Sequence, residues 1–204
     1  MAPKYRVSYF PIKALAEPIR LLLSYGKIDF EDRRISSEEW PKYKESMPMG
    51  QMPTLEIDDK VYYQSGPIAR YLAKQFGLAG DNDLESLEVD IAVECINDFR
   101  IKASAVHYEA DGEAKEKKFL VLQAETIPFL LKKLEERATL NKGYLALGKL
   151  TWADFFFVGL VDYLNVIARQ DILATNPNLA SVKANVLALP EIQAWYEKSP
   201  KCDF

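Results

Sequence analysis

The most informative segment of this chain reads Met47-Pro-Met-Gly-Gln-Met-Pro-Thr-Leu-Glu-Ile-Asp-Asp-Lys-Val-Tyr-Tyr-Gln-Ser-Gly-Pro-Ile-Ala-Arg-Tyr-Leu72. The pattern predicts a short strand at Thr54–Ile57 and a returning strand at residues 61–63. Residues 58 and 59 are predicted to form the two-residue hairpin turn between them. Ser65 is then the expected N-cap of a helix, with Pro67 in the first turn, where its missing N–H costs little. The segment therefore predicts a β-hairpin that leads directly into a helix.

Two places in this segment are suited to contact a ligand. Pro53 cannot donate to a strand ladder, so it belongs at the first strand position, and a cis bond before it would turn the backbone of Met52 outward. Gln64 and Ser65 lie at the predicted helix N-terminus, where free N–H groups and the helix dipole favour an anion. A strand edge beside a helix N-terminus suits a small peptide. An ordinary hairpin with an ordinary cap is the alternative, and these residues alone favour it.

The chain before this segment alternates between strand and helix. The pattern predicts a strand at residues 4–10 that ends near Tyr9, a helix at 16–25 and a second strand at 29–35. Strand, helix, strand in this order implies a parallel pair of strands. The polar segment that follows carries Trp40, Pro41 and Lys44.

The chain beyond a linker at residues 77–83 shows no strand pattern. One long amphipathic helix is predicted at about 84–106 from the spacing of Leu84, Leu87, Ile91, Cys95, Ile96 and Phe99. A second helix is predicted at 115–138, with a kink or a break at Pro128. Thr151 and Asp154 resemble a capping box before a stretch that is apolar on every face, as expected for the centre of a bundle. Two short helices, at 179–187 and 191–198, close the chain.

Composition restricts the function classes. The chain has 204 residues, 49% hydrophobic and 27% charged, with a net charge of −4 and no basic run, which argues against a nucleic-acid partner. It has two cysteines far apart and one histidine, so neither a disulfide framework nor a histidine-based metal site is expected. We find no signal segment, and the longest apolar run is too short to span a bilayer. A cytoplasmic protein with no membrane partner is the expectation.

A resemblance to a known family narrows this interpretation. The run Gly50-Gln-Met-Pro-Thr-Leu-Glu56, with Gln64-Ser65 and Ile68-Ala-Arg-Tyr-Leu72, resembles the glutathione-binding segment of cytosolic glutathione transferases. Further positions resemble the sigma class of this family, and its arthropod members in particular: Tyr9, Trp40-Pro41, Lys44 and Leu150-Thr-Trp-Ala-Asp-Phe155. The resemblance runs end to end. It implies an α/β plus all-α fold: a thioredoxin-like, glutathione-binding domain at residues 1–80, then an all-helical domain at 84–204 that contributes the electrophile pocket.

The resemblance also implies an activity and an assembly. The expected protein is a cytoplasmic homodimer that conjugates the glutathione thiolate to hydrophobic electrophiles in detoxification, lipid-peroxidation products included, with peroxidase activity as an option. Glutathione is then the cosubstrate and no metal is expected. Two alternatives remain: a glutathione-dependent prostaglandin-type isomerase, and a non-enzymatic structural relative similar to lens crystallins.

Tyr9 is the expected catalytic residue. An ordinary phenol has a pKa of about 10 and a cysteine thiol one of about 8.5, so a neutral tyrosine can donate to a thiolate and keep its proton. Hydrogen bonding to the charged form lowers the pKa of the thiol. The nucleophile comes from the cosubstrate, so the chain needs no catalytic cysteine. A strand tyrosine that only packs is the alternative, and the neighbouring candidate residues Gln51, Met52, Gln64 and Ser65 argue against it.

The other site residues follow from the resemblance. The glycyl end of glutathione would contact Trp40, Lys44 and Gln51. The backbone of Met52, before Pro53, would pair with the cysteinyl unit, and Gln64 and Ser65 would hold the γ-glutamyl carboxylate. Asp98 would reach glutathione bound to the other subunit, with a solvated helix face as the alternative. The apolar candidates for the electrophile pocket are Phe10, Ile12, Leu15, Ile101 and Phe204.

Two positions differ from the related prostaglandin isomerases. Leu15 stands where some of them carry an arginine that supports the thiolate. Glu94, Asn97 and Asp98 stand where they carry a cluster of acids that can hold a divalent cation. Both differences argue against isomerase activity and metal activation, and neither affects Tyr9.

Overall fold

The N-terminal part of the chain forms one mixed β-sheet with helices. The computed structural model describes residues 3–202 and 204. Within them the strands are β1 (Tyr5–Tyr9), β2 (Phe30–Arg34), β3 (Thr54–Ile57) and β4 (Lys60–Tyr63), and the helices of this part are α1 (Glu17–Tyr25), α2 (Trp40–Lys44) and α3 (Ser65–Gln75). The spatial order is β2-β1-β3-β4. β1 and β2 are parallel, and β3 pairs antiparallel with β1 and β4. The predicted parallel pair and hairpin are thus confirmed.

The start of α3 differs from the prediction by one residue. Gln64, not Ser65, is the N-cap, with φ at 73°, and Ser65 is the first helical residue. Ser65 therefore contributes its backbone N–H to the open helix end, where the first N–H groups have no partner inside the helix. On α3, Ile68 and Leu72 are buried, whereas Tyr71 is 48% exposed.

The C-terminal part is helical throughout. Its helices are α4 (Asp83–His107), α5 (Glu113–Val121), α6 (Ile127–Leu140), α7 (Trp152–Ala168), α8 (Pro177–Leu187) and α9 (Pro190–Lys198). Near Pro128, where a kink or a break was expected, a π-helical turn at Leu122–Thr126 joins α5 to α6 and the helical backbone continues. No helix among the residues described here combines the length and the apolar character needed to cross a bilayer.

Helix α7 is the buried centre of this part, as its apolar sequence predicts. Its first turn is held by Asp154, whose Oδ2 accepts from the N–H of Thr151 at 2.7 Å and from its hydroxyl at 3.0 Å. The other carboxylate oxygen accepts from the N–H of Leu145 at 2.7 Å. Burial raises the pKa of Asp154 to about 6, against the opposing effect of these hydrogen bonds. The capping role of both residues is thus a structural one.

Helix α4 has two apolar faces, which corrects the prediction of a single inner stripe. Ile96 and Phe99 are buried against the rest of the protein. Leu84, Leu87 and Ile91 point outward and are 74%, 54% and 44% exposed. The sequence spacing of these apolar residues had placed them in one stripe, whereas the structure shows that they belong to two faces of the helix.

The two parts of the chain pack together through α1, α7 and α9. Gly159 of α7 lies so close to α1 that a Cβ there would be 2.6 Å from the nitrogen of Pro18. Trp195 of α9 donates its indole N–H to Glu17 at 2.9 Å, and Glu17 also accepts from Arg20 at 3.1 Å. These contacts fix α1, the helix that follows β1 in the chain, against the helical part.

Candidate active site

A cavity of about 510 Å³ lies where β1, α2, the β3 start, α3 and α4 meet. It brings together nine of the residues predicted from the sequence, although several are far apart in the chain. Its lining consists of Phe10, Leu15, Trp40, Lys44, Pro48, Met49, Gly50, Gln51, Met52, Pro53, Tyr63, Gln64, Ser65 and Arg100.

One wall of the cavity is a backbone edge. The Met52–Pro53 peptide bond is cis. Neither the N–H nor the C=O of Met52 has a hydrogen-bond partner within the described part of the chain. At the adjoining corner, Ser65 begins α3, and the open N–H groups of a helix start favour a negative charge. This wall thus offers an exposed peptide edge next to an anion-binding helix end.

The opposite wall is aromatic and cationic. Trp40 and Lys44 are four residues apart on the short helix α2, so they lie on one face of it. The Trp40 ring meets that of Phe10 edge-to-face at 5.5 Å, and Phe10 meets Tyr9 in the same way at 5.5 Å. This row of rings connects α2 to the end of β1.

Tyr9 lies behind this wall. It is only 6% exposed and is not itself among the residues that line the cavity. Against the larger effect of burial, the backbone N–H of Leu15, a residue that does line the cavity, acts to lower the pKa of Tyr9. Burial raises the pKa of Tyr9 to about 12, although the charges of Arg20 and Arg100 oppose this effect. The phenol therefore stays neutral and keeps its proton available to a neighbouring acceptor.

Arg100 is a site residue that the sequence analysis missed. It extends from α4 into the cavity lining, and its Nε donates to Asn97 Oδ1 at 3.2 Å. Burial lowers the pKa of Arg100, and nearby Tyr163 and Tyr9 oppose this effect. Only a weak signal for it was present in the sequence: Arg100 directly follows Phe99, a residue of the predicted apolar stripe, but nothing in the sequence placed it near the cavity.

The phenols of two further tyrosines lie near this corner. Tyr163 of α7 donates its hydroxyl to that of Tyr108 at 3.4 Å. The ring of Tyr163 stacks on Phe204, with ring centroids 6.1 Å apart. Burial raises the pKa of Tyr163, and the interactions with Tyr108 and Tyr9 act in the same direction. The Tyr163 hydroxyl therefore stays neutral and adds no charge to this corner.

Four other predicted residues lie outside the cavity lining. Asp98 is exposed on α4, and Ile101 is 52% exposed. The carbonyl of Ile12 accepts from Arg20 at 2.8 Å, so its backbone has a structural role. Phe204 approaches the site only through its stacking on Tyr163. The structure does not bring these four residues together with Trp40, Gln51 and Ser65.

The charges of the cavity lining have one sign. Lys44 and Arg100 are cations, and no Asp or Glu is among the described residues that form the lining. The helix start at Ser65 adds a partial positive charge. Such a cavity favours a ligand with several negative groups.

This fold and cavity define a class of thioredoxin-like proteins that carry a helical second domain and bind a small anionic peptide beside the sheet. Residues 6–74 match the family described as "Glutathione S-transferase, N-terminal domain", and residues 97–199 match "Glutathione S-transferase, C-terminal domain". The chain belongs to the glutathione S-transferase family.

Individual relatives agree with this assignment. The chain is 52% identical to "Glutathione S-transferase S1" of Drosophila melanogaster, over 96% of this chain and 79% of the relative. It is 50% identical to "Glutathione S-transferase" of Anopheles gambiae, over 97% of this chain and 98% of the relative. A solved structure, described as "Structure of prostaglandin synthase D of Nilaparvata lugens", superposes with a TM-score of 0.93 at 42% identity and covers 98% of this chain and 100% of that one.

Proposed function

We propose that this enzyme adds the glutathione thiolate to hydrophobic electrophiles, with Tyr9 as the hydrogen-bond donor to the sulfur. One observation carries the proposal: the cavity unites the expected glutathione-binding residues beside a phenol that burial keeps neutral. The family assignment supports glutathione as cosubstrate and a transferase activity. Sigma class and an arthropod origin are the finer assignment that we infer from Trp40, Lys44 and the run after Leu150.

Glutathione fits the cavity as an extended peptide. Its glycyl carboxylate would lie between Trp40, Lys44 and Gln51, and its γ-glutamyl carboxylate at Gln64 and the open helix end of Ser65. The cysteinyl unit would pair with the free backbone of Met52 before Pro53. The two carboxylates would then occupy the two positively charged ends of the cavity, which fixes the direction of the peptide.

The chemical step starts from the bound thiol. A hydrogen bond from Tyr9 to the sulfur stabilises the thiolate and lowers the pKa of the thiol by about one to two units. The thiolate then attacks the electrophilic carbon and forms a new carbon–sulfur bond. With an aryl halide the halide ion leaves, and with an unsaturated aldehyde the resulting enolate takes a proton from solvent. Tyr9 keeps its own proton throughout.

The electrophile would lie against the apolar side of the cavity. Phe10 and Leu15 line this side, and Ile12, Ile101 and Phe204 are the further candidates near the helical part. We propose hydrophobic lipid-peroxidation products as natural substrates and a peroxidase reaction as a secondary activity. In that reaction the thiolate attacks the terminal oxygen of a hydroperoxide, the O–O bond breaks and the alcohol leaves after protonation by solvent. A second glutathione then reduces the resulting sulfenic acid, which yields glutathione disulfide and water.

We also propose that the enzyme works as a cytoplasmic homodimer. The outward apolar residues of α4, with Leu87 and Ile91 at their centre, support an interface between two copies, since large exposed apolar patches mark binding surfaces. Asp98 on the same helix would then reach glutathione in the partner subunit. The proposed domain boundary lies near residue 80, with residues 1–80 and 84–204 as the two domains.

A pH series of glutathione conjugation to a chromogenic aryl halide tests the proposal. The natural protein should be active, and Tyr9→Phe should be slowed at least about tenfold, with its kinetic pKa raised towards that of free glutathione. Tyr5→Phe, a change at the other end of β1, is the matched control and should keep the natural rate. Equal rates for the natural protein and Tyr9→Phe would show that Tyr9 is not the donor.

A glutathione-dependent prostaglandin-type isomerase is the second candidate. The similar Nilaparvata lugens structure is named a prostaglandin synthase, while the relatives at 50% and 52% identity are named transferases. Leu15 in the cavity wall argues against the isomerase. Turnover of a prostaglandin endoperoxide without consumption of glutathione would favour it.

A further inference from the structure

Arg100 differs from Arg20 and Arg34, two other arginines with limited solvent exposure, in having no acidic partner. Arg20 pairs with Glu17 at 3.1 Å and with Asp32 at 2.8 Å, and Arg34 pairs with the other oxygen of Asp32 at 2.8 Å. The one hydrogen bond of Arg100 goes to the neutral amide of Asn97. Among the described residues, no carboxylate forms an ion pair with its guanidinium.

An unpaired guanidinium at the edge of a core is costly, because partial loss of hydration is not offset by a counter-charge. Arginine does not lose its proton in proteins, so the charge persists. Four of its five N–H donors are still available for a ligand. A bound anion would supply both the missing charge and the missing acceptors.

The position of Arg100 indicates which part of the ligand it faces. Lys44 lies beside Gly50, with its Cε 3.8 Å from the position that a Gly50 Cβ would occupy. Arg100 comes from α4 on the other side, and its charge acts on Tyr9. The other titratable groups that act on Arg100 are Tyr163 of α7 and Glu94 of α4 itself. Arg100 shares the cavity lining with Phe10 and Leu15, which follow Tyr9 in the chain, so it places a positive charge on the Tyr9 side of the cavity.

We propose that Arg100 provides the positive charge that stabilises the glutathione thiolate alongside the Tyr9 hydrogen bond. This inference rests on the proposed function and adds to it a second, purely electrostatic residue. A phenol offers one hydrogen bond, whereas a fixed cation favours the charged form of the sulfur at somewhat longer range. The two residues thus act on the same ionisation by different means.

Titration of the bound thiol tests this directly. The thiolate absorbance of glutathione is followed against pH in complexes with the natural protein, Arg100→Met and Arg100→Lys. We expect the midpoint to rise by about one pH unit in Arg100→Met and to stay within a few tenths of a unit in Arg100→Lys, which keeps the charge. Lys102→Met removes an equal charge from an exposed position two residues further along α4, and it should leave the midpoint unchanged.

Kinetics give a second readout. The conjugation rate of Arg100→Met at saturating glutathione should fall about tenfold below the midpoint and match that of the natural protein well above it. An unchanged midpoint, or a loss of rate that is the same at every pH, would overturn the role of Arg100. Failure of the natural protein itself to ionise bound glutathione would instead overturn the proposed function.

Discussion

At the scale of single residues, the proposed chemistry requires that Tyr9 keep its phenolic proton. In the proposed mechanism, Tyr9 must be a donor at every pH at which the thiolate forms. Its burial achieves this, because desolvation disfavours the phenolate and raises the pKa of Tyr9 to about 12.

The raised pKa of Tyr9 predicts the shape of the pH–rate profile. The group is an acid whose pKa is raised, so its neutral, donating form persists from low pH up to the approach to pH 12. The value of kcat/KM should rise once, as the thiol ionises, and then stay level to about pH 10. Measurement with a non-ionising aryl halide gives this profile. A descending limb centred between about pH 8 and 9, in a protein still folded by circular dichroism, would contradict it.

Single residues also show where sequence-based inference succeeds and where it fails. Gln51, Met52 and Gln64 could be proposed as neighbours because they belong to one hairpin and its following helix, which are close in sequence. Arg100 could not, because its place in the cavity depends on how the helical part of the chain packs against the N-terminal part.

At the scale of elements, the sequence predicted structure accurately where that structure depends on residues close together in the chain. The bounds of β3, the turn and the antiparallel register follow from a short apolar run and two aspartates. The start of α3 moved by one residue because Gln64 adopts a positive φ, which nothing in its side chain predicts. The two apolar faces of α4 were predicted as one, because the periodicity shows where apolar residues lie on a helix but not which of them are buried.

The contact between α1 and α7 gives a prediction on stability. Gly159→Ala would place a methyl group 2.6 Å from the nitrogen of Pro18, so the two helices must separate. We expect a loss of about 2 kcal/mol in the free energy of unfolding, measured by urea denaturation. Gly66→Ala is the matched control, since a Cβ there meets no atom within 4 Å and should change stability by less than about 1 kcal/mol. Equal stability of the two variants would mean that the helices are not in contact at Gly159.

At the scale of the whole molecule, the fold could be predicted almost completely and the assembly could not. A βαβ unit, a hairpin and a series of helical periods indicate an α/β part followed by helices, and the resemblance to glutathione transferases implied the thioredoxin-like fold. The partner of the outward face of α4 is not encoded in these patterns, because an exposed leucine is also normal on a monomer.

The proposed homodimer predicts how surface substitutions change the oligomeric state. Ile91→Lys would bury a charge in the interface and should weaken self-association at least about tenfold, as measured by sedimentation velocity across a concentration series. Leu140→Lys changes a residue of α6 that is 83% exposed, and it should leave the association state as it is. A natural protein that sediments as a monomer at high concentration would contradict the dimer.

The role of Tyr9 can be read most directly from a crystal structure of the protein with glutathione. We predict that the glutathione sulfur lies within hydrogen-bonding distance of the Tyr9 hydroxyl, with the cysteinyl unit paired to the backbone of Met52 and the γ-glutamyl carboxylate at the start of α3. A sulfur that points away from Tyr9, or a peptide that lies outside this cavity, would contradict the proposed chemistry.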